Sequence, residues 1–151
     1  MHTHTCGELR REDVGKEVTL CGWVWRRRDH GGMVFVDLRD REGLTQVSFD
    51  PDHADGVPFG VAEQIRPECP IKVPGTVRPR PEGQANDRLA TGAVEVLADS
   101  VEVLNSSKTP PFQIEDHVDV SEDIRLRYRY LDLRRPHMTA NLRMRSDFTF
   151  A

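Results

Sequence analysis

Three arginines precede a glycine turn, and a phenylalanine follows it. Arg26, Arg27 and Arg28 lead into Gly31–Gly32, and Phe35 comes shortly after the turn. Guanidinium groups donate hydrogen bonds to phosphates and base edges, and an exposed aromatic ring on a strand stacks against an unpaired base. This stretch therefore predicts a surface that binds single-stranded nucleic acid.

Each of these residues also has a purely structural interpretation. A cluster of charges at the end of a strand is usually solvated, and a phenylalanine is often part of the core. Val34, Val36 and Leu38 supply apolar side chains of the opposite parity to Phe35. Because side chains alternate between the two faces of a strand, this pattern favours an outward-facing ring.

The charge balance indicates a local site rather than a uniformly basic surface. The chain has 151 residues and a formal net charge of −4 at pH 7. An acidic run at 115–123 is followed by many arginines in 125–145. A nucleic-acid site must therefore be a local basic patch.

No metal, membrane or catalytic motif is predicted. The 3 cysteines are an odd number without Cys-x-x-Cys spacing, which is typical of reduced thiols in a cytoplasmic protein. Asp37, Asp40 and Glu42 alternate with arginines, which favours surface ion pairs over a metal cluster. No apolar run approaches the roughly 20 residues that cross a bilayer. No phosphate-binding glycine loop or nucleophile motif is present.

Hydrophobic alternation predicts an all-β domain with one short helix. In the first strand, Val18, Leu20 and Val24 share one face, and Gly22 marks a bulge or a barrel corner. Three strands, a helix and two strands is the order of an OB-fold, a five-stranded Greek-key barrel that binds ligands around strands 2 and 3. The predicted strands are 17–29, 33–39, 44–49, 71–78 and 93–104, with the helix inside 50–70 and a long loop at 79–92.

The sequence after the barrel changes character. Residues 1–104 form the predicted OB-fold domain, and 105–120 have the composition of a linker. Residues 121–151 are arginine-rich and partly helical, with Leu126, Tyr130, Leu131 and Leu133 as a candidate apolar side. This segment is too short to bury a core of its own, so we expect it to be the start of a second domain.

Several stretches together resemble one family. Cys21–Val24, Arg26–Asp29, Asp37–Asp40 and Ala90–Gly92 resemble the N-terminal domain of bacterial-type aspartyl-tRNA synthetases. The most specific match is Arg125–Pro136, which resembles the segment that enters the catalytic domain of that family. The resemblance covers nearly the whole chain and is weakest at 51–70. It implies an OB-fold that binds the anticodon loop of tRNA, followed by the truncated start of a class II catalytic domain at 121–151.

The resemblance also implies roles for individual residues. Phe35 is expected to stack on the central anticodon base and Gln46 to hydrogen-bond a base edge. Such contacts suit a single-stranded loop, whose unpaired bases can stack and expose their edges. The remaining expected anticodon-binding residues are Arg26, Arg28, Arg80, Asn86 and Glu95.

Two positions bear on which tRNA is accepted. His30 and Gln84 occupy positions at which the family varies between enzymes strict for the aspartate tRNA and enzymes that also accept the asparagine tRNA. The two anticodons differ at their third base, so a single altered contact can shift the preference. We expect relaxed specificity.

The resemblance places catalysis outside this chain. The parent enzyme is expected to be a homodimeric aspartate–tRNA ligase that uses ATP and Mg²⁺. This fragment is expected to have no catalytic residues, no cofactor and no activity alone, to be monomeric, and to contribute recognition of the anticodon. Two other functions stay open, namely a free-standing OB-fold that binds single-stranded nucleic acid and a barrel that binds protein or oligosaccharide.

Overall fold

The computed structural model describes residues 1–150, which divide into two compact units. The first is Met1–Thr109 and the second begins at Pro110. None of the helices within residues 1–150 has the length and apolarity needed to cross a membrane.

The first unit is a closed barrel of five strands. Its strands run in the order β1-β2-β3-β5-β4, and the pairing of β1 with β4 closes the barrel. Only β3 and β5 pair in parallel. This arrangement confirms the predicted OB-fold. The strands are β1 (Glu17–Asp29), β2 (Val34–Arg39), β3 (Leu44–Phe49), β4 (Pro70–Pro79) and β5 (Val94–Ala98), and a short β6 (Glu102–Val103) pairs with β4.

The predicted single strand over 93–104 is wrong in one respect. The chain turns between β5 and β6, where the backbone N–H groups of Asp99 and Ser100 both donate to the Pro74 carbonyl. Pro74 has no N–H group to offer a neighbouring strand. The partner of β4 on this side therefore changes from β5 to β6 at the proline.

The core follows the predicted alternation. Val18, Leu20 and Val24 are buried, and they pack with apolar residues of the other strands. The predicted short helix is α1 (Val57–Ala62), which lies between β3 and β4 in the sequence and buries Pro58 and Ala62. The 3-10 helices Arg11–Asp13 and Ala54–Gly56 complete the unit.

A β-bulge at Trp25 changes which side chains of β1 face outward. Val24 pairs with Leu38, but Arg26 pairs with Asp37, so Trp25 is an extra residue in β1. Alternation from Val24 without the bulge would put Arg26 on the inner face. With it, Arg26 lies beside the outward-facing Asp37, and Arg28 lies beside Phe35. A bulge that redirects side chains is common next to binding sites.

Gly22 has a different role from the bulge. It pairs in regular register with Ile71, next to the position where β1 begins to pair with β2 as well as β4. A Cβ atom on Gly22 would lie 2.5 Å from the backbone oxygen of Arg39. Glycine is therefore required by the close approach of two strands at a corner of the barrel.

The second unit is held by a small apolar cluster and by two ion pairs that share the buried carboxylate of Asp132. Phe112, Ile114 and Leu131 are buried together, so part of the range 105–120 predicted as a linker is packed. Asp132 is buried and accepts hydrogen bonds from Arg129 and from Arg135. The helices are α2 (Glu122–Arg127), α3 (Arg129–Asp132) and α4 (Pro136–Phe150).

The predicted apolar side of this segment is only partly correct. Leu131 is buried and Leu133 is half-buried, whereas Leu126 and Tyr130 are exposed. The interruption between α2 and α3 at Tyr128 breaks the helical period on which the prediction relied.

The close approach at Gly22 generates a stability prediction. We expect Gly22→Ala to lower the free energy of unfolding by about 1–3 kcal/mol, because the new methyl group overpacks the strand contact. Gly60→Ala is the matched control, since a Cβ atom on Gly60 meets nothing within 4 Å. Chemical denaturation of both variants measures the difference, and equal stability of the two would show that β1 and β2 can separate at no cost.

Candidate nucleic-acid interface

One outer face of the barrel collects polar side chains from all five strands. Cross-strand partners lie on the same face of a sheet. Arg28 pairs with Phe35, Phe35 pairs with Ser48, and Asp37 pairs with both Arg26 and Gln46. On the other side of β3, Arg78 of β4 pairs with Glu95 of β5. We call this surface the polar face.

A continuous chain of hydrogen bonds crosses the polar face. The Arg28 Nη2 donates to Asp37 Oδ1 at 2.6 Å and to Gln46 Oε1 at 3.2 Å. Gln46 Nε2 donates to Glu95 Oε2 at 2.7 Å. Glu95 Oε1 accepts from Arg78 Nε at 2.6 Å. Each of these bonds joins side chains of two different strands. The side chains therefore hold one another in fixed orientations.

The carboxylates and the amide of this chain lie beneath the arginines. Asp37, Gln46 and Glu95 expose 6%, 9% and 1% of their surfaces. The side chains of Arg28 and Arg78 remain 43% and 33% exposed. Buried carboxylates need such partners, since an unpaired charge is costly to bury. The guanidinium groups therefore lie nearer to solvent than the carboxylates that hold them.

The half-buried side chain of Phe35 lies at the edge of this network. It faces outward, as predicted, and the ring of His30 meets it edge to face with centroids 5.9 Å apart. The Arg26 guanidinium lies over the Trp25 ring at 4.2 Å, a cation–π contact. The third predicted arginine of this stretch, Arg27, faces the other way and donates to the carbonyl of Ala62.

Arg80 has a buried nitrogen without an acceptor. Its Nε donates to the Val94 carbonyl at 3.1 Å, but its Nη2 is buried with no hydrogen-bond partner among the described residues. Burial lowers the pKa of Arg80, although Glu95 and Asp37 oppose that shift. A buried donor without an acceptor is uncommon in folded proteins and calls for an explanation. A ligand oxygen at this position would satisfy it.

Asn86 and Gln84 lie apart from the hydrogen-bonded chain. Asn86 shapes the loop between β4 and β5, where its Oδ1 accepts from the backbone N–H of Arg88 at 3.1 Å. Its carbonyl would be 1.8 Å from a Cβ atom on Gly92, so the loop closes tightly there. Gln84 and His30 are both exposed. Of the predicted site residues, the structure thus joins Arg28, Gln46 and Glu95 directly.

The expectation of surface ion pairs around Asp37 is wrong for two of three carboxylates. Asp37 is buried against Arg28, and Asp40 accepts backbone N–H groups of Cys6, Glu42 and Gly43. Glu42 alone forms the expected surface pair, with Arg41. Within residues 1–150 no group of three or more His, Cys, Asp or Glu is placed to hold a metal ion.

Sequence reasoning missed Arg78, Ser48 and the role of Asp37. Arg78 Nη2 donates to Ser48 Oγ at 3.1 Å while its Nε holds Glu95. The available signal was parity, since Val77 is buried and Arg78 follows it in the same strand. The partner strand could not be assigned from the sequence, so the contact was not predictable.

Comparison with known proteins places this face in a family context. The family model described as an OB-fold nucleic acid binding domain of the tRNA anti-codon type matches residues 18–104, more than half of the chain. Asparaginyl-tRNA synthetase from Pyrococcus horikoshii, solved with asparaginyl-adenylate, is 28% identical with a TM-score of 0.76, over 93% of this chain and 30% of that chain.

Two other solved structures are also similar. Aspartyl-tRNA synthetase from Entamoeba histolytica shares the fold at 24% identity and a TM-score of 0.82, over 95% of this chain and 34% of that chain. An OBody bound to hen egg-white lysozyme is 25% identical with a TM-score of 0.60, over 71% of this chain and 96% of that chain. This chain therefore spans about a third of the length of the two synthetases.

The buried carboxyl of Asp37 generates a pH prediction. Burial raises the pKa of Asp37 above its ordinary value, against the opposing effect of Arg28, Arg80 and Arg26. A carboxyl with a higher pKa in the folded chain binds its proton more tightly there, so its contribution to stability falls as pH rises between the unfolded and folded pKa values. We expect the stability of the unmodified chain relative to Asp37→Asn to fall as pH rises from about 3 to about 7.

Denaturation at a series of pH values measures this difference. Asp52→Asn, at an exposed position, supplies the baseline for loss of a surface charge. A relative stability that instead increases with pH would show that the guanidinium groups outweigh burial at Asp37.

Proposed function

The chain belongs to the family of OB-fold nucleic acid binding domains of the tRNA anticodon type, and from that premise we propose that it binds the anticodon loop of tRNA as the N-terminal part of an aspartate–tRNA ligase. The observation that carries the proposal is the polar face, where the half-buried, outward-facing ring of Phe35 lies beside guanidinium groups held by buried carboxylates. The similarity to the asparaginyl-tRNA synthetase supports a tRNA synthetase as the longer protein, and the aspartyl-tRNA synthetase shares the fold.

Some residues of the polar face would hold the anticodon bases, and others would discriminate between them. Phe35 stacks on the central anticodon base, which contributes affinity but tolerates any base because every base has a π-face. Hydrogen bonds to base edges supply the choice. In this proposal, Gln46 binds one base edge, while Arg26, Arg28 and Arg80 contact bases or nearby phosphates.

Arg80, Glu95 and Asn86 complete the proposed site in different ways. The Nη2 of Arg80, which has no hydrogen-bond partner among the described residues, would donate to a ligand oxygen. Glu95 acts from beneath the surface, where both of its oxygens are already hydrogen-bonded. Asn86 presents its side chain from a loop that its own Oδ1 helps to form.

We propose that the chain accepts the anticodons of both the aspartate and the asparagine tRNA. His30 contacts the Phe35 ring, so it lies next to the ring that stacks on the central base. Gln84 is exposed in the loop between β4 and β5. Neither residue presents a fixed carboxylate or guanidinium that would reject one third base over another.

The proposal extends to the longer enzyme. Residues 121–151 would begin a class II catalytic domain, and the complete protein would be a cytoplasmic homodimer that attaches aspartate to tRNA with ATP and Mg²⁺. The present chain would then be a monomer without activity of its own. Its contribution is binding energy at the anticodon, which helps to position the distant acceptor end.

A barrel that binds protein is the second candidate function. The observation that favours it is the similarity to the OBody, which was solved bound to hen egg-white lysozyme. The guanidinium-rich surface of the polar face favours a polyanion instead.

Titration with anticodon stem-loops tests the proposed function. We expect tighter binding of stem-loops with the aspartate or asparagine anticodon than of a stem-loop with all three anticodon bases changed, and affinity that falls as salt rises. A strong preference for the aspartate anticodon alone would contradict relaxed specificity. Equal binding of every loop would indicate a general single-strand binder, and salt-insensitive or absent binding would favour the protein-binding alternative.

Phe35→Ala tests the stacking contact. We expect it to weaken binding of the aspartate stem-loop by about 1–3 kcal/mol, which is the contribution of one base–aromatic stack. Phe148→Ala is the matched control, because the Phe148 side chain is 89% exposed and lies in the second unit. Calorimetric titration measures both variants, and identical affinities would remove Phe35 from the site.

A further inference from the structure

We infer that Arg78 is a positioning residue for anticodon discrimination, acting through Glu95 on the amide of Gln46. The inference rests on the proposed function and adds to it a residue that no motif marked. Arg78 is one hydrogen bond away from Glu95 and two from Gln46. Its effect on base choice is therefore indirect.

Both carboxylate oxygens of Glu95 are held by protein partners. The side chain is 1% exposed, and each of its two oxygens accepts a hydrogen bond, one from Arg78 and one from Gln46. A buried carboxylate keeps its charge only when such donors compensate its lost hydration. Arg78 supplies the compensating charge and fixes the plane of the carboxylate.

The fixed carboxylate determines which way the Gln46 amide points. A carboxylate only accepts hydrogen bonds, so the Gln46 atom facing Glu95 must be the NH₂ group. The Gln46 carbonyl oxygen then faces the opposite side, where Arg28 Nη2 donates to it at 3.2 Å. One N–H and one oxygen lone pair of the amide remain for a base edge, in a defined order across the face.

Arg78 secures this order with two contacts at once. Its Nε holds Glu95, while its Nη2 donates to the buried hydroxyl of Ser48 on β3, the strand that also carries Gln46. The planar guanidinium can make both contacts in one rigid geometry. Without Arg78, the carboxylate loses its charge partner and the amide of Gln46 loses its fixed orientation.

Variants at Arg78 and Glu95 test this inference on the whole chain. Arg78→Gln removes the charge partner of Glu95. The double variant Arg78→Gln with Glu95→Gln removes both charges, so the test can still be made if the single variant does not fold. Arg78→Lys keeps a cationic donor for Glu95. Arg88→Gln is the matched control, since Arg88 is an exposed arginine of the loop between β4 and β5 and its loss removes a charge from the same end of β4.

The measurement is a set of dissociation constants for four anticodon stem-loops. One carries the aspartate anticodon, and each of the others has a single changed base. The discrimination ratio at each anticodon position is the dissociation constant of the stem-loop changed there divided by that of the aspartate stem-loop. We expect this ratio to fall about tenfold at one position in Arg78→Gln and in the double variant, as for loss of one well-oriented pair of base contacts. Arg78→Lys is expected to retain the ratio, and Arg88→Gln to lower all four affinities by one common factor.

The side-chain NH₂ signals of Gln46 in ¹⁵N NMR spectra supply an independent readout. They are expected to shift in the Arg78→Gln variants and to keep their positions in Arg88→Gln. Unchanged ratios at all three positions, or an Arg78→Lys variant as defective as Arg78→Gln, would overturn the inference. If the unmodified chain itself shows no preference among the stem-loops, the proposed function fails instead.

Discussion

The polar face depends on one extra residue in β1. The bulge at Trp25 reverses the parity of the strand, so the interior alternation that ends at Val24 is followed by outward-facing Arg26 and Arg28. In a regular strand these two guanidinium groups would point into an apolar barrel, where burial of a charge is prohibitive. The bulge also turns Arg27 toward α1, where it caps the Ala62 carbonyl. A single irregularity thus assigns each of three adjacent arginines its side of the sheet.

The second constraint is the burial of two carboxylates under the arginines that bind them. Asp37 and Glu95 offset part of the positive charge of the face, so they reduce its attraction for a polyanion. Their contribution is orientation, because a guanidinium bonded to a buried carboxylate has far fewer accessible rotamers than a solvated one. Recognition of a base edge requires donors and acceptors in fixed positions, and that gain outweighs the loss of net charge.

The barrel itself was largely predictable from the sequence, and the site only in part. Alternation at Val18, Leu20 and Val24 identifies the inner face of β1, and the parity of Phe35 against Val34 and Val36 correctly places its ring outside. Glycine and proline were harder to interpret. Gly22 was a candidate for a bulge or a barrel corner, and it lies at a corner, whereas the bulge lies at Trp25. Pro74 ends one strand pairing, and its carbonyl accepts from the turn after β5.

The links between strands were beyond sequence reasoning because they depend on register. Arg78 and Glu95 are opposite one another only because β4 and β5 pair with that offset, and no local pattern encodes the offset. For the same reason the burial of Asp37 was missed, since its acidic type and neighbouring arginines are equally typical of a solvated surface.

A buried donor of Arg80 has no acceptor among the described residues, and this connects binding with selectivity. The buried Nη2 of Arg80 lacks an acceptor, whereas Arg28, Gln46 and Glu95 are all hydrogen-bonded within the protein. An acceptor on the ligand that reaches Arg80 removes an existing penalty, and a base that fails to provide one leaves the penalty in place. Discrimination at such a position exceeds the value of an ordinary surface hydrogen bond, because the comparison is between a satisfied and an orphaned buried donor. A rigid network beside a buried donor that lacks an acceptor therefore selects bases more sharply than a flexible basic surface of equal charge.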